Sequence, residues 1–133
     1  MKRILVTGAN GFIGQALCSE LSKRDFRIRK AVRSQRKNLL HRETDDIVTT
    51  GDIAVEPDWT AALNGIDTIV HLAGRAHVIN EYVKDPSTEY RRVNTAGTEH
   101  LARSAVKAGI RRIVYASTVK VNGEITKQMP FSE

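Results

Sequence analysis

The stretch Thr7-Gly8-Ala9-Asn10-Gly11-Phe12-Ile13-Gly14 constrains the fold more than any other part of the chain. It places three glycines at a G-x-x-G-x-x-G spacing, directly after the segment Arg3 to Thr7, whose consecutive aliphatics Ile4, Leu5 and Val6 read as a strand buried on both faces. From Phe12 to Lys23 the apolar positions Phe12, Ile13, Ala16, Leu17 and Leu21 recur at helical spacing, so the glycines form a turn between strand and helix. Each glycine then serves a distinct physical purpose. One turns the chain, one lets an anion approach bare backbone, and one lets the helix pack closely on the strand. Free N–H groups and the dipole at the helix N-terminus attract negative charge. Strand, turn and helix together predict a site for the pyrophosphate of a dinucleotide, built from Gly8, Asn10, Gly11, Phe12, Ile13 and Gly14.

The remaining elements alternate. A second strand runs from Arg27 to Val32, and a short third covers Ile47 to Thr49. A helix starts at Pro57 and ends by Gly65, with a fourth strand from Thr68 to Leu72. A long helix covers Glu89 to Lys107 and stops at Gly109, ahead of a fifth strand from Arg112 to Ala116. Strands alternating with helices, without hairpin signals, predict an α/β fold: a Rossmann-type, doubly wound parallel sheet in strand order 3-2-1-4-5, with helices on both faces. The 133 residues fit one domain, 1–133. No apolar run approaches the roughly 20 residues of a membrane span. Thr7 and Gly8 interrupt the only stretch that resembles the start of a signal segment, so no membrane association and a cytoplasmic location are expected.

Cys18 is the single cysteine, which rules out an internal disulfide, and its neighbours Ala16, Leu17 and Leu21 suit a small core residue. The net charge of +6 favours acidic partners. Its densest part, from Arg24 to Arg42, contains Arg27, Arg29, Lys30, Arg33, Arg36 and Lys37 without interleaved stacking aromatics. That pattern points away from nucleic acid and toward a small phosphate-bearing ligand.

The one-residue-longer glycine spacing, together with Gly51-Asp52-Ile53, His71-Leu72-Ala73-Gly74, Val93-Asn94-Thr95-Ala96-Gly97-Thr98 and Tyr115-Ala116-Ser117-Thr118-Val119, resembles the extended short-chain dehydrogenase/reductase family. This is the family of nucleotide-sugar epimerases, dehydratases and reductases. The matches occur in order and span nearly the whole chain.

Each segment carries two readings. Arg33 ends the second strand about 20 residues beyond the glycine turn, where an acid would bond the ribose of NAD and an arginine would meet the 2′-phosphate of NADP. No acid lies between Arg27 and Leu40, so NADP is favoured with NAD as the alternative; otherwise Arg33 is a solvated surface residue. The resemblance implies that Asp52 bonds the adenine amino group beside the Ile53 backbone, whereas a turn aspartate would cap its own backbone. Leu72, Ala73 and Gly74 form a turn small enough for backbone to lie against a cofactor. His71 reads as a strand residue with a satisfied ring. Asn94 lies on the apolar side of its helix, where its amide needs partners; it either supports the active site, as the resemblance implies, or ties helix to strand. Thr118 aligns with the family's active-site hydroxyl, with Ser117 beside it, unless both simply cap the strand.

The tyrosine and lysine that the family uses four residues apart are absent: Pro86, Asn94 and Val119 follow Tyr82, Tyr90 and Tyr115 at that spacing. The expectation is therefore an N-terminal part of a longer enzyme, inactive alone, with apolar surface available for self-association or a homodimer. Asn122 in Val119-Lys120-Val121-Asn122-Gly123 points to the branch acting at C4 of UDP-linked acetamido sugars. The competing reading is a redox-sensing module that binds NADP without catalysis.

Overall fold

The computed structural model describes residues 1–34, 46–76 and 85–118, and singly residues 121, 123 and 125. Arg36, Lys37 and most of the segment from Val119 to Gly123 lie outside the described residues.

Five strands, β1 (Lys2–Thr7), β2 (Phe26–Val32), β3 (Asp46–Thr49), β4 (Thr68–His71) and β5 (Arg112–Tyr115), form one sheet in the order β3-β2-β1-β4-β5. All pairings are parallel, as expected from alternating strands and helices. Because a strand's side chains alternate between faces, β1 serves two cores. Leu5 joins Ala31 and Ile69 under α2 (Thr60–Leu63) and α4 (Gly97–Lys107), with Ala62, Leu63, Leu101 and Ala105. Ile4 and Val6 face the opposite way, with Cys18, Leu17 and Leu21 of α1 (Phe12–Ser22) packed over them. Both sheet faces are thus covered, which makes the fold doubly wound. Cys18 is buried in the second core.

Two helical expectations need correction in extent. The helix expected from Pro57 is the short α2, because Asp58 accepts the Thr60 N–H at 2.8 Å and so delays the helical start. The helix expected from Glu89 begins earlier, as α3 (Pro86–Tyr90). Asp85 caps it by accepting the Thr88 N–H at 3.1 Å, with Pro86 in the first turn. Between α3 and α4 the chain takes a π-helical course from Arg91 to Ala96.

Arg29, counted with the basic run, is committed to the fold. It pairs with Asp46 at 3.0 Å and donates to the carbonyls of Ala61, Ala62 and Asn64 at the end of α2. It therefore contributes nothing to a ligand-binding surface. On β5, by contrast, Ile113, Val114 and Tyr115 are exposed. Among the described residues, no helix is long and apolar enough to cross a membrane.

Candidate functional site

A parallel sheet brings the carboxyl ends of all its strands to one edge. Here that edge collects the Gly8 turn after β1, Arg33 after β2, Asp52 after β3, Leu72 to Gly74 after β4, and Ser117 and Thr118 after β5. The chain leaves β1 for α1 on one face and β4 for α4 on the other, so the β1–β4 junction is the point where the winding reverses and a crevice opens.

The glycines define that crevice. Gly8 has φ +65°, and a Cβ there would lie 2.8 Å from Ala73 N and 2.9 Å from Leu72 C. Only glycine accommodates both this conformation and this approach of β4's loop. Gly14 is buried in the first turn of α1, where a Cβ would collide with the Gly8 carbonyl oxygen and sit 2.8 Å from Ala9 Cα. Gly11 differs: its backbone is extended, at φ −77° and ψ 172°, and among the described residues a Cβ would meet only the Gly8 oxygen, at 3.2 Å. None of the other described residues closes the space above Gly11.

Gly11 accepts the N–H of Gln15 at 2.9 Å, which starts α1 and leaves the N–H groups of Phe12, Ile13 and Gly14 without intrahelical acceptors. Among the described residues no side chain caps this end, and no acidic residue occupies its first turn. Phe12 and Ile13 are exposed, and Asn10 offers its carbonyl to the Gln15 amide at 2.8 Å. An uncapped helix N-terminus behind a Cβ-free turn is suited to holding a phosphate.

The turn after β4 is held by two devices. The first lies in a hydroxyl that composition alone would pass over: buried Thr7 accepts the N–H groups of Leu72 and Ala73 at 3.2 and 3.1 Å. Thr7 also contacts His71 Nδ1 at 2.7 Å, and His71 Nε2 lies 2.9 Å from Thr98 Oγ1. Both ring nitrogens are thus engaged, and the ring stacks on Tyr115 with centroids 5.6 Å apart. Burial pushes the His71 pKa down, which favours the neutral ring. The second device is Asn94, in the π-helical segment. Its Oδ1 accepts the Arg75 N–H at 2.7 Å and its Nδ2 donates to the Arg75 carbonyl at 2.9 Å. Asn94 therefore satisfies its amide on the loop beyond Gly74 and ties the π-helical segment to that loop. The Arg75 guanidinium lies over the Tyr90 ring, 5.5 Å from its centroid.

Other expected residues are placed plainly. Asp52 accepts the Ala54 N–H at 3.0 Å and caps the turn Ile53–Val55; Ile53 is buried. Gly97 lets the helix pass that turn, since a Cβ there would lie 2.9 Å from the Ile53 carbonyl oxygen. Arg33 is exposed at the end of β2, and Ser117 and Thr118 are exposed beyond β5. Thr7, Thr98 and Arg75 carry no signal of their own as site residues in the sequence. The first two hold the His71 ring between them, an arrangement visible only once β1 and β4 are paired.

The model of the NAD dependent epimerase/dehydratase family matches residues 4–133. The chain belongs to that family. Among curated relatives, a UDP-glucose 4-epimerase of Vibrio cholerae is 39% identical over 126 residues, covering 94% of this chain and 37% of the relative. A 3 beta-hydroxysteroid dehydrogenase/Delta 5-->4-isomerase of Mycobacterium tuberculosis is 36% identical over 125 residues, covering 90% of this chain and 32% of the relative. Among solved structures, MoeE5 in complex with UDP-glucuronic acid and NAD superposes with a TM-score of 0.75 at 29% identity, over 96% of this chain and 40% of MoeE5. The chain thus spans about a third of the length of the curated relatives it matches.

Proposed function

We propose that this chain is the nicotinamide-dinucleotide-binding part of an enzyme that transfers hydride at C4 of a nucleotide-diphosphate sugar, as an epimerase or reductase. The observation that carries the reading is the turn itself: among the described residues, Gly11 leaves open space directly before three free N–H groups, while Gly8 and Gly14 are packed where no side chain fits. A dinucleotide pyrophosphate matches that cradle in charge and in its need for close backbone approach. Membership of the family supports the cofactor class, and the relatives' UDP-sugar chemistry supports the substrate class.

When bound, the nicotinamide would accept and return the hydride. The chain's own residues bind and orient. The N–H groups of Phe12, Ile13 and Gly14 would hold the pyrophosphate, Asp52 and Ile53 the adenine, and the backbone of Leu72, Ala73 and Gly74 the riboses. Asn94 would act through the loop that it anchors at Arg75. Thr118, with Ser117 beside it, would orient the reacting sugar oxygen from the end of β5. Arg33, with no acid nearby in sequence, would meet a 2′-phosphate, which favours NADP over NAD.

Calorimetric titration of the chain with NADP+ and NAD+ tests this directly. Binding of either is expected, and Arg33→Asp should weaken NADP+ by about tenfold or more while changing NAD+ little. Equal losses would remove the 2′-phosphate role from Arg33, and binding of neither dinucleotide by the unmodified chain would overturn the cofactor reading.

A further inference from the structure

The carboxyl ends of β1, β4 and β5 are in register at Thr7, His71 and Tyr115. Thr7, one step before Gly8, is buried, and its oxygen accepts two backbone N–H groups, from Leu72 and Ala73. A hydroxyl oxygen has two lone pairs, and both are taken. The hydroxyl hydrogen must therefore leave in the remaining direction, where His71 Nδ1 stands at 2.7 Å. This settles the ring: Nδ1 is bare and accepts, so the ring hydrogen of neutral His71 is on Nε2 and donates to Thr98 Oγ1 at 2.9 Å. Every hydrogen bond in the chain from α4 through β4 and β1 to the β4 loop thus has one direction.

We propose that His71 is a positioning residue for the dinucleotide crevice, acting through Thr7: by accepting the Thr7 hydrogen, it keeps both Thr7 lone pairs on the Leu72 and Ala73 N–H groups and so fixes the loop against Gly8. The inference rests on the dinucleotide reading above for what the crevice holds. The loop has little latitude, since a Cβ at Gly8 would already lie 2.8 Å from Ala73 N. A second hydrogen on the ring would sit on Nδ1 and reverse the Thr7 contact. Thr7 would then have to accept from His71 and release one backbone N–H. The groups facing the ring are Thr7 from β1, Thr98 from α4 and the Tyr115 ring from β5; among the described residues, no charged side chain bonds to it. Burial opposes an imidazolium.

The test combines ring nitrogen NMR with binding, on the 133-residue chain. Long-range proton–nitrogen spectra at pH 8 should show a bare Nδ1 and a protonated Nε2 on His71. A hydrogen on Nδ1 would overturn the proposal without any variant. Protection of the Leu72 and Ala73 amides, taken relative to their intrinsic exchange rates, should fall as pH drops through the His71 midpoint; protection that ignores that midpoint also refutes the relay. In calorimetry with NAD+ and NADP+ from pH 8 to pH 5, affinity should fall with the same midpoint. Thr7→Ser should bind within twofold of the unmodified chain, and Thr7→Val about tenfold more weakly, the loss expected when one or two hydrogen bonds are removed. His71→Phe keeps the stack on Tyr115 but cannot accept, so it should bind more weakly and without the acid-dependent fall. An unchanged fall in His71→Phe would sink the idea. If the unmodified chain binds neither dinucleotide at any pH, the cofactor reading fails, and the ring and amide signatures still decide the relay.

Discussion

Gly14→Ala isolates the contact that joins the glycine turn to its helix. Alanine is otherwise the better helix residue, by about 0.5–1 kcal/mol. Against this, the new Cβ would collide with the Gly8 carbonyl oxygen and lie 2.8 and 2.9 Å from Ala9 Cα and C, all of them backbone atoms in a tight turn. Reaching ordinary carbon–carbon contact from those distances requires a shift of about 0.7 Å. One route lifts α1 from β1 and loosens Cys18 and Leu17 over Ile4 and Val6, an overpacking strain of about 3 kcal/mol. The other rotates the Gly8 carbonyl and breaks its 2.9 Å bond from the Gly11 N–H, at about 1 kcal/mol plus the strain of moving Gly8. Net of the helix preference, the expected destabilisation is about 2–3 kcal/mol, or a fall in melting temperature of roughly 8–10 °C for a domain of this size. Urea unfolding followed by far-ultraviolet circular dichroism and by fluorescence of the single, buried Trp59 measures it. Gly11→Ala is the control, because its φ is negative and its only close neighbour among the described residues is at 3.2 Å. It should stay within about 0.5 kcal/mol of the unmodified chain in stability while weakening dinucleotide binding. A Gly14→Ala chain as stable as the original, or a Gly11→Ala chain equally destabilised, would refute the division of labour between the two glycines.

Asn94→Leu removes both bonds to the Arg75 backbone and should cost about 2 kcal/mol, read by the same urea titration; a neutral result would mean that water replaces the amide at no cost. Arg29→Met should cost a similar amount, about 2 kcal/mol, since it strips α2's last carbonyls of their donor and leaves the half-exposed Asp46 unpaired; dinucleotide affinity should not change, and a selective loss of affinity would return Arg29 to the ligand surface. His71 makes stability pH-dependent with a definite sign. Its folded pKa lies below the unfolded value of about 6.5, so the unfolded chain binds the extra proton first. Its contribution is complete above about pH 6.5, declines as pH falls from there to the folded pKa, and is level below it. Melting curves at pH 8, 6.5 and 5 for the original chain and His71→Phe should diverge in slope only on the acid side; parallel curves would show that the ring protonates freely in the folded state.

Much of the fold was legible because it rests on local signals. Hydrophobic runs and their punctuation by glycine determined the strands, and right-handed crossovers then left one economical strand order, which the sheet adopts. The glycine spacing by itself determined a turn that no side chain can occupy at Gly8 or Gly14. What the sequence could not convey was how polar groups are shared between distant segments. Arg29 has the look of a basic surface residue until α2's end closes over it, and the early start of α3 is signalled by the Asp85-Pro86 cap rather than by apolar periodicity. Asn94 needed partners, but only the packing of the π-helical segment on the β4 loop decided that Arg75 would supply both. Thr7 and His71 are 64 residues apart and become neighbours only when β1 and β4 pair. A turn's shape is dictated by the φ and Cβ limits of the residues within it. The direction of a buried hydrogen bond depends on which groups tertiary packing brings to the same oxygen, and for Thr7 that was decided by the folded sheet edge alone.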